Sequence, residues 1–149
     1  KLTFEKSNND HRVVTFHDSC NVARGSNMGD IENGQFILPR EVIKAACNNF
    51  IDMPKNTIKS STFCCGGGAG LLTDDLIDLR IKGAKPRMHA LRKSEQESGV
   101  NTLAAICAIC KSQFSKVLPN YDFDPYMVVS VHQLVSDAIV LSESLKQKD

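Results

Sequence analysis

Val100-Asn-Thr-Leu-Ala-Ala-Ile-Cys-Ala-Ile-Cys110 is the stretch on which the reading of this chain turns. Val100 to Ile106 is an apolar run of strand length, and Cys107-x-x-Cys110 stands where that run stops. A helix from Lys111 should end before Pro119. A strand that runs through a cysteine pair into a helix is one β–α unit, and thiols at such a turn ionise more readily than free ones. Alone, the pair fits a thioredoxin-like dithiol or a metal knuckle.

Working outward, the same arrangement recurs. Arg12-Val-Val-Thr-Phe-His17 reads as a buried strand and runs into Asp18-Ser-Cys20. Ile58 to Phe63, a less apolar run, reads as a second strand leading into Cys64-Cys65-Gly-Gly-Gly-Ala-Gly70, and Met127 to Val131 reads as a fourth. Helices are expected from Pro39 to about Phe50, from an N-cap at Thr73 to near Gly83, from Pro86 to Gly99, and from Leu134 to Leu145. Strands alternating with helices predict an α/β fold, a mostly parallel sheet flanked by helices. Open parallel sheets bind ligands beyond the carboxyl ends of their strands. Cys20, Cys64–Cys65 and Cys107 each fall just past such an end.

The 149 residues, 42% hydrophobic and 23% charged, suit one domain over 1–149 with its own core. A formal charge of +1 gives no electrostatic case for nucleic acid as a partner. The basic run Lys82, Lys85, Arg87, Arg92 and Lys93 is expected to be a solvated helix face, with docking of an acidic surface as the other reading. No stretch approaches a membrane span, and Lys1 to Asp10 lacks a signal-peptide core. The opening Lys suggests the C-terminal piece of a longer subunit. Six cysteines, most of them following apolar runs, point to a metal or redox site in a reducing compartment and away from a disulfide scaffold.

Thiolates are soft ligands for iron–sulfur clusters, zinc or copper(I). Zinc closes a structural site with four ligands, and an adjacent pair such as Cys64–Cys65 suits a multi-iron group better. A structural zinc module is the competing reading. Gly66, Gly67 and Gly68 are expected to allow positive φ and to turn N–H groups toward an anion. Cys47 shares a helix face with Val42, Ile43 and Phe50, so it reads as core. His17 could donate to a bound group from outside its ligand set or be a hydrogen-bonded residue closing its strand. Arg24 reads as a steering charge or a loop residue, His89 and His132 as surface or structural, and Tyr121, Phe123 and Tyr126 as packing.

The order Cys20, Cys64-Cys65-Gly66, Cys107-x-x-Cys110 resembles the CCG cysteine-rich domain of heterodisulfide reductase. His17-Asp-Ser-Cys20 and the glycine-rich run after Cys65 are most similar to its D-type subunits, and above all to the K subunit of the Dsr membrane complex. The resemblance runs from about Val13 to Ile139. It implies a Rossmann-like CCG fold and a non-cubane [4Fe-4S] cluster held by Cys20, Cys64, Cys65, Cys107 and Cys110. Gly66 and Gly67 would lie against that cluster, and Cys64 and Cys65 would stand at the catalytic position with one of them bridging. It implies a heterodisulfide-reductase-like oxidoreductase that reduces disulfides or trisulfides, or oxidises thiols. The implied partners are ferredoxin-type clusters elsewhere in the parent subunit, a membrane cytochrome b-type subunit and a DsrC-like sulfur carrier, at the cytoplasmic face of the inner membrane. CCG domains also occur in lactate and glycolate oxidation and in quinone-linked dehydrogenases. Two departures stand out: the chain carries one such motif where heterodisulfide reductases carry two, and it lacks the ferredoxin Cys-x-x-Cys-x-x-Cys spacing.

Overall fold

The computed structural model describes residues 3–140. Its elements in chain order are β1 (Thr3–Phe4), β2 (Val14–His17), α1 (Leu38–Ala46), α2 (Ile77–Ser98), β3 (Thr102–Ala105), α3 (Ala108–Val117), β4 (Val128–Ser130), α4 (Val131–Ala138) and β5 (Ile139–Val140). Every residue of β2 and β3 is buried, which a strand achieves only when both faces of its sheet are covered. β2, β3 and β4 pair in parallel in that order, with Val14 opposite Thr102 and Ala105 opposite Ser130. The protein has the α/β architecture that the alternation implies.

Alternation along the strands divides the core in two. Val14, Phe16 and Ala104 pack with Ile43 and Ala46 of α1 and with Leu134 and Ala138 of α4. Leu103 and Ala105 pack with Ala84, Met88 and Leu91 of α2 and with Phe114 and Val117 of α3. Full burial of a side chain such as Leu103 contributes about 1.5–3 kcal/mol. His17 falls on the α3 side, its ring edge-on to Phe114 with centroids 4.8 Å apart.

Ile58–Phe63 is not a strand. It folds as a 3-10 turn at Lys59–Ser61, with Lys59 at φ 53°, directly after another at Lys55–Thr57. Between Ile58 and Phe63 the residues are polar, and distant side chains take up their backbone groups. Asp18 accepts the Lys59 N–H at 2.7 Å, and Arg24 donates to Ser60 O at 2.9 Å. Arg87 donates to Thr57 O at 2.5 Å and to Thr62 Oγ1 at 2.8 Å, and Thr62 Oγ1 donates to Asp18 O at 2.9 Å. Asp18 is itself gripped by both terminal nitrogens of Arg40, at 2.7 and 2.8 Å. The adjacent cysteines therefore leave a pinned loop, not a strand tip.

The two helices expected around Gly83 and Pro86 are one. α2 runs through Pro86, although that residue has no N–H for the preceding turn. Burial of Arg80, Ala84, Arg87, Met88 and Leu91 holds the face together, and Gly99 ends the helix at φ 68°. α2 begins at Ile77 after a 3-10 turn, and Thr73 makes no side-chain cap. α1 stops at Ala46 because the chain turns back to the sheet: Phe50 bridges Val14, and Ile51 N–H donates to Val14 O at 2.9 Å. α3 starts at Ala108, earlier than Lys111. α4 starts at Val131, capped by Ser130, whose hydroxyl accepts the Gln133 N–H at 3.1 Å. It ends at Ala138, and the part of the expected closing helix beyond Val140 lies outside the described residues. β5 pairs antiparallel with β1, Thr3 opposite Val140, an element the sequence did not suggest.

Candidate functional site

Three segments meet beyond the carboxyl edge of the sheet. Cys20 opens a π-helical turn (Cys20–Gly25) three residues past β2. Cys107 is the N-cap of α3, and Cys110 lies in its first turn. The pinned loop delivers Cys64 and Cys65. All five line one cavity of ≈ 20 Å³, with Ser19, Asn21, Ala69 and Ile109. Cys65 and Cys110 are buried at its floor, whereas Cys20, Cys64 and Cys107 are partly exposed. Cys47, the remaining cysteine, is buried in the α1–α4 core.

Gly66 explains how the pair is seated. At φ +90°, it lies so close to α2 that a Cβ would come within 2.2 Å of Arg80 O. Its N–H donates to Cys64 Sγ at 3.2 Å. Gly68 also has positive φ, but Gly67 adopts the ordinary right-handed conformation at φ −79°. What Gly67 avoids is a side chain: a Cβ there would stand 3.3 Å from Cys65 Sγ.

The thiols crowd one another. The hydrogen bond that Cys64 donates to Cys65 pushes the Cys64 thiol far up, and the one that Cys65 donates to Cys110 pushes Cys65 up to about 12. Burial and then the charge of Cys64 raise Cys20. Cys107 goes the other way. Burial acts to raise it, but the N–H groups of Cys110 and Ile109 and the Ser19 hydroxyl prevail and favour its thiolate. So dense a set of sulfurs ionises together only around a cation, and backbone N–H groups are already turned toward it. The donors are soft and outnumber the four of a closed zinc tetrahedron. They fit an iron–sulfur group.

His17 lies behind the floor. It is fully buried, and neither ring nitrogen has a hydrogen-bond partner among the described residues. A ring nitrogen and the sulfurs of Cys65 and Cys110 lie within 4.8 Å of one another. Burial, reinforced by the Arg87 charge, holds the imidazole neutral, well below its usual 6.5. The strand-closing hydrogen bond expected for His17 is absent.

Among the other residues singled out by sequence, Arg24 holds the Ser60–Thr62 backbone, Tyr126 is 87% exposed where packing was expected, and His89 and His132 are at the surface. In the basic run, Lys82, Lys85 and Lys93 are solvated, but Arg87 is completely buried and Arg92 covers the Phe123 ring. The spacing Arg80, Ala84, Arg87, Leu91 places Arg87 on the apolar face of α2, the signal that its charge obscured.

The profile of the CCG cysteine-rich domain matches residues 14–115, from the start of β2 into α3. The chain belongs to the CCG cysteine-rich domain family. This CCG domain is 45% identical over 142 residues to the Hdr-like menaquinol oxidoreductase iron-sulfur subunit 2 of Archaeoglobus fulgidus, covering 95% of this chain and 24% of that protein. It is 42% identical, with the same coverage, to the Hdr-like menaquinol oxidoreductase iron-sulfur subunit of Archaeoglobus profundus. A shorter match, 40% over 57 residues, covers 38% of this chain and 7% of the EtfAB:quinone oxidoreductase of Syntrophomonas wolfei. The CCG domain thus spans about a quarter of the length of its first two relatives. No solved structure matches it. Among the described residues, no helix is long and apolar enough to cross a membrane.

Proposed function

We propose that this CCG domain is the iron–sulfur electron-transfer module of an oxidoreductase subunit, and that Cys20, Cys64, Cys65, Cys107 and Cys110 hold its cluster. The reading is carried by the delivery of five sulfurs, two from adjacent residues, to one cavity by three separated segments. The bound group is a non-cubane [4Fe-4S] cluster, for which five thiolates including an adjacent pair are a suitable set. Such a cluster supplies one-electron steps at a site where a substrate sulfur can bind.

The protein's own contribution is positional. Cys65 and Cys110 anchor the deep side, and the partly exposed Cys20, Cys64 and Cys107 border the mouth. The Gly66 N–H steadies the Cys64 sulfur, and Ile109 and Ala69 line the wall beside it. Disulfide or trisulfide reduction, or the reverse thiol oxidation, is the chemistry this mouth suits, with Cys64 facing the reacting sulfur and Cys65 behind it as the other half of the catalytic pair. Likeness to menaquinol oxidoreductase iron-sulfur subunits supports a quinol-linked electron supply, and the proposed route is through ferredoxin-type clusters elsewhere in the subunit and a cytochrome b-type membrane partner. A DsrC-like sulfur carrier at the cytoplasmic face of the membrane is the proposed acceptor.

Anaerobic reconstitution with iron and sulfide should leave about four irons per chain after desalting, and Cys65→Ser should disturb the cluster spectrum. Protein that retains no iron overturns the reading. The His17–Cys65–Cys110 group favours a second one, a single zinc. It predicts colourless protein with one tightly held zinc, which metal analysis separates from iron.

A further inference from the structure

Arg87 is a completely buried cation with no carboxylate of its own. Its terminal nitrogens donate to Met53 Sδ at 2.8 Å, Thr57 O at 2.5 Å and Thr62 Oγ1 at 2.8 Å, all neutral acceptors, and its Nε has no partner. Among the described residues no acidic group lies within salt-bridge distance of it. Asp18 is the nearest anion in influence, but it already accepts two Arg40 N–H groups and the Lys59 N–H. Its contacts lead straight to the cavity: Thr62, to which it donates, lies two residues before Cys64, and its guanidinium stands 5.8 Å from the ring centroid of Phe63, the residue next to Cys64. Cys65, Cys110 and Cys64 are accordingly the other groups whose charge reaches Arg87. Burial lowers its pKa only to about 10, so it keeps its charge at neutral pH.

A buried charge is costly unless an opposite charge meets it. The hydrogen bonds of Arg87 could be made by a neutral donor, so they do not explain a full positive charge at this position. The thiolates do. We propose that Arg87 is a positioning residue that serves as the internal counter-cation of the cluster site, its fixed charge behind Cys64, Cys65 and Cys110 raising the reduction potential of the bound group. This rests on the reading of the cavity as a cluster site. In a medium of low dielectric, each electron that enters adds negative charge, and a nearby cation stabilises the reduced form more than the oxidised one.

The test is a redox titration, followed by electron paramagnetic resonance, of the reconstituted full chain. The variants are Arg87→Lys, Arg87→Gln and Arg87→Met, each measured beside its iron content. Arg87→Lys should titrate close to wild type, and both uncharged variants should shift to lower potential at equal iron per chain. Arg87→Gln keeps donors for Thr57 and Thr62, so it answers the question if Arg87→Met does not fold. A purely structural Arg87 would give iron loss in all three variants with no change of potential in the loaded fraction, and that result overturns the proposal. Equal shifts in the lysine and glutamine variants overturn it too. Wild-type protein that binds no iron overturns the cluster reading, and this inference with it.

Discussion

His17 shows what a single side chain gives up for a site. An imidazole sealed from water with both nitrogens idle costs the folded state free energy, because each lost its hydration without a replacement. His17→Leu removes that penalty. The metal-free variant should be more stable than the parent by roughly 1–2 kcal/mol in a urea titration. Its iron content after reconstitution should fall, since a ring nitrogen lies within 4.8 Å of both floor sulfurs. A variant that loses stability and loads iron normally would make His17 an ordinary core residue. Tension between stability and use of this kind is concentrated where a fold meets its ligand.

At the scale of elements, the seating of the cysteine pair depends on backbone meeting backbone. Gly66→Ala would drive a methyl carbon into Arg80 O of α2, at a φ that side chains resist. It should cost at least about 2 kcal/mol and sharply reduce iron loading, read by thermal melt and metal analysis. Elsewhere, Arg12 grips Asp137 of α4 at 2.7 Å and holds its carboxyl below the ordinary 3.8. A carboxyl lowered in the folded state stabilises above the unfolded value and loses that contribution as pH falls through the folded one. Asp137→Asn should therefore cost up to about 1 kcal/mol above pH 3.8 and progressively less below it, in denaturant midpoints measured on either side of that pH. Legibility followed the range of the forces. β2 and β3 could be read because β-branched and apolar residues, Val13 to Phe16 and Leu103 to Ile106, dominate their own stretches, and Cys107-x-x-Cys110 because it adjoins β3. Ile58–Phe63 was misread because Asp18, Arg24 and Arg87 shape it from far along the chain. Arg87 was missed because its charge placed it in a run that looked solvated.

For the molecule as a whole, the cavity is where separate parts of the sequence are tied together. A metal group held by Cys20, Cys64, Cys65, Cys107 and Cys110 would link β2, the pinned loop and α3, so that binding and folding become one equilibrium. Iron-loaded protein should melt at least about 5 °C above the metal-free form in anaerobic calorimetry. Cys47→Ala, which touches only the opposite core, should leave that increment intact. The small β1–β5 ladder, Thr3 to Val140 and Phe4 to Ile139, stands apart from the parallel sheet. Its placement makes it a mechanical fuse. A pull applied to the two ends of the described residues would peel these four paired residues first, before the strands that lead to the sulfurs take up any strain.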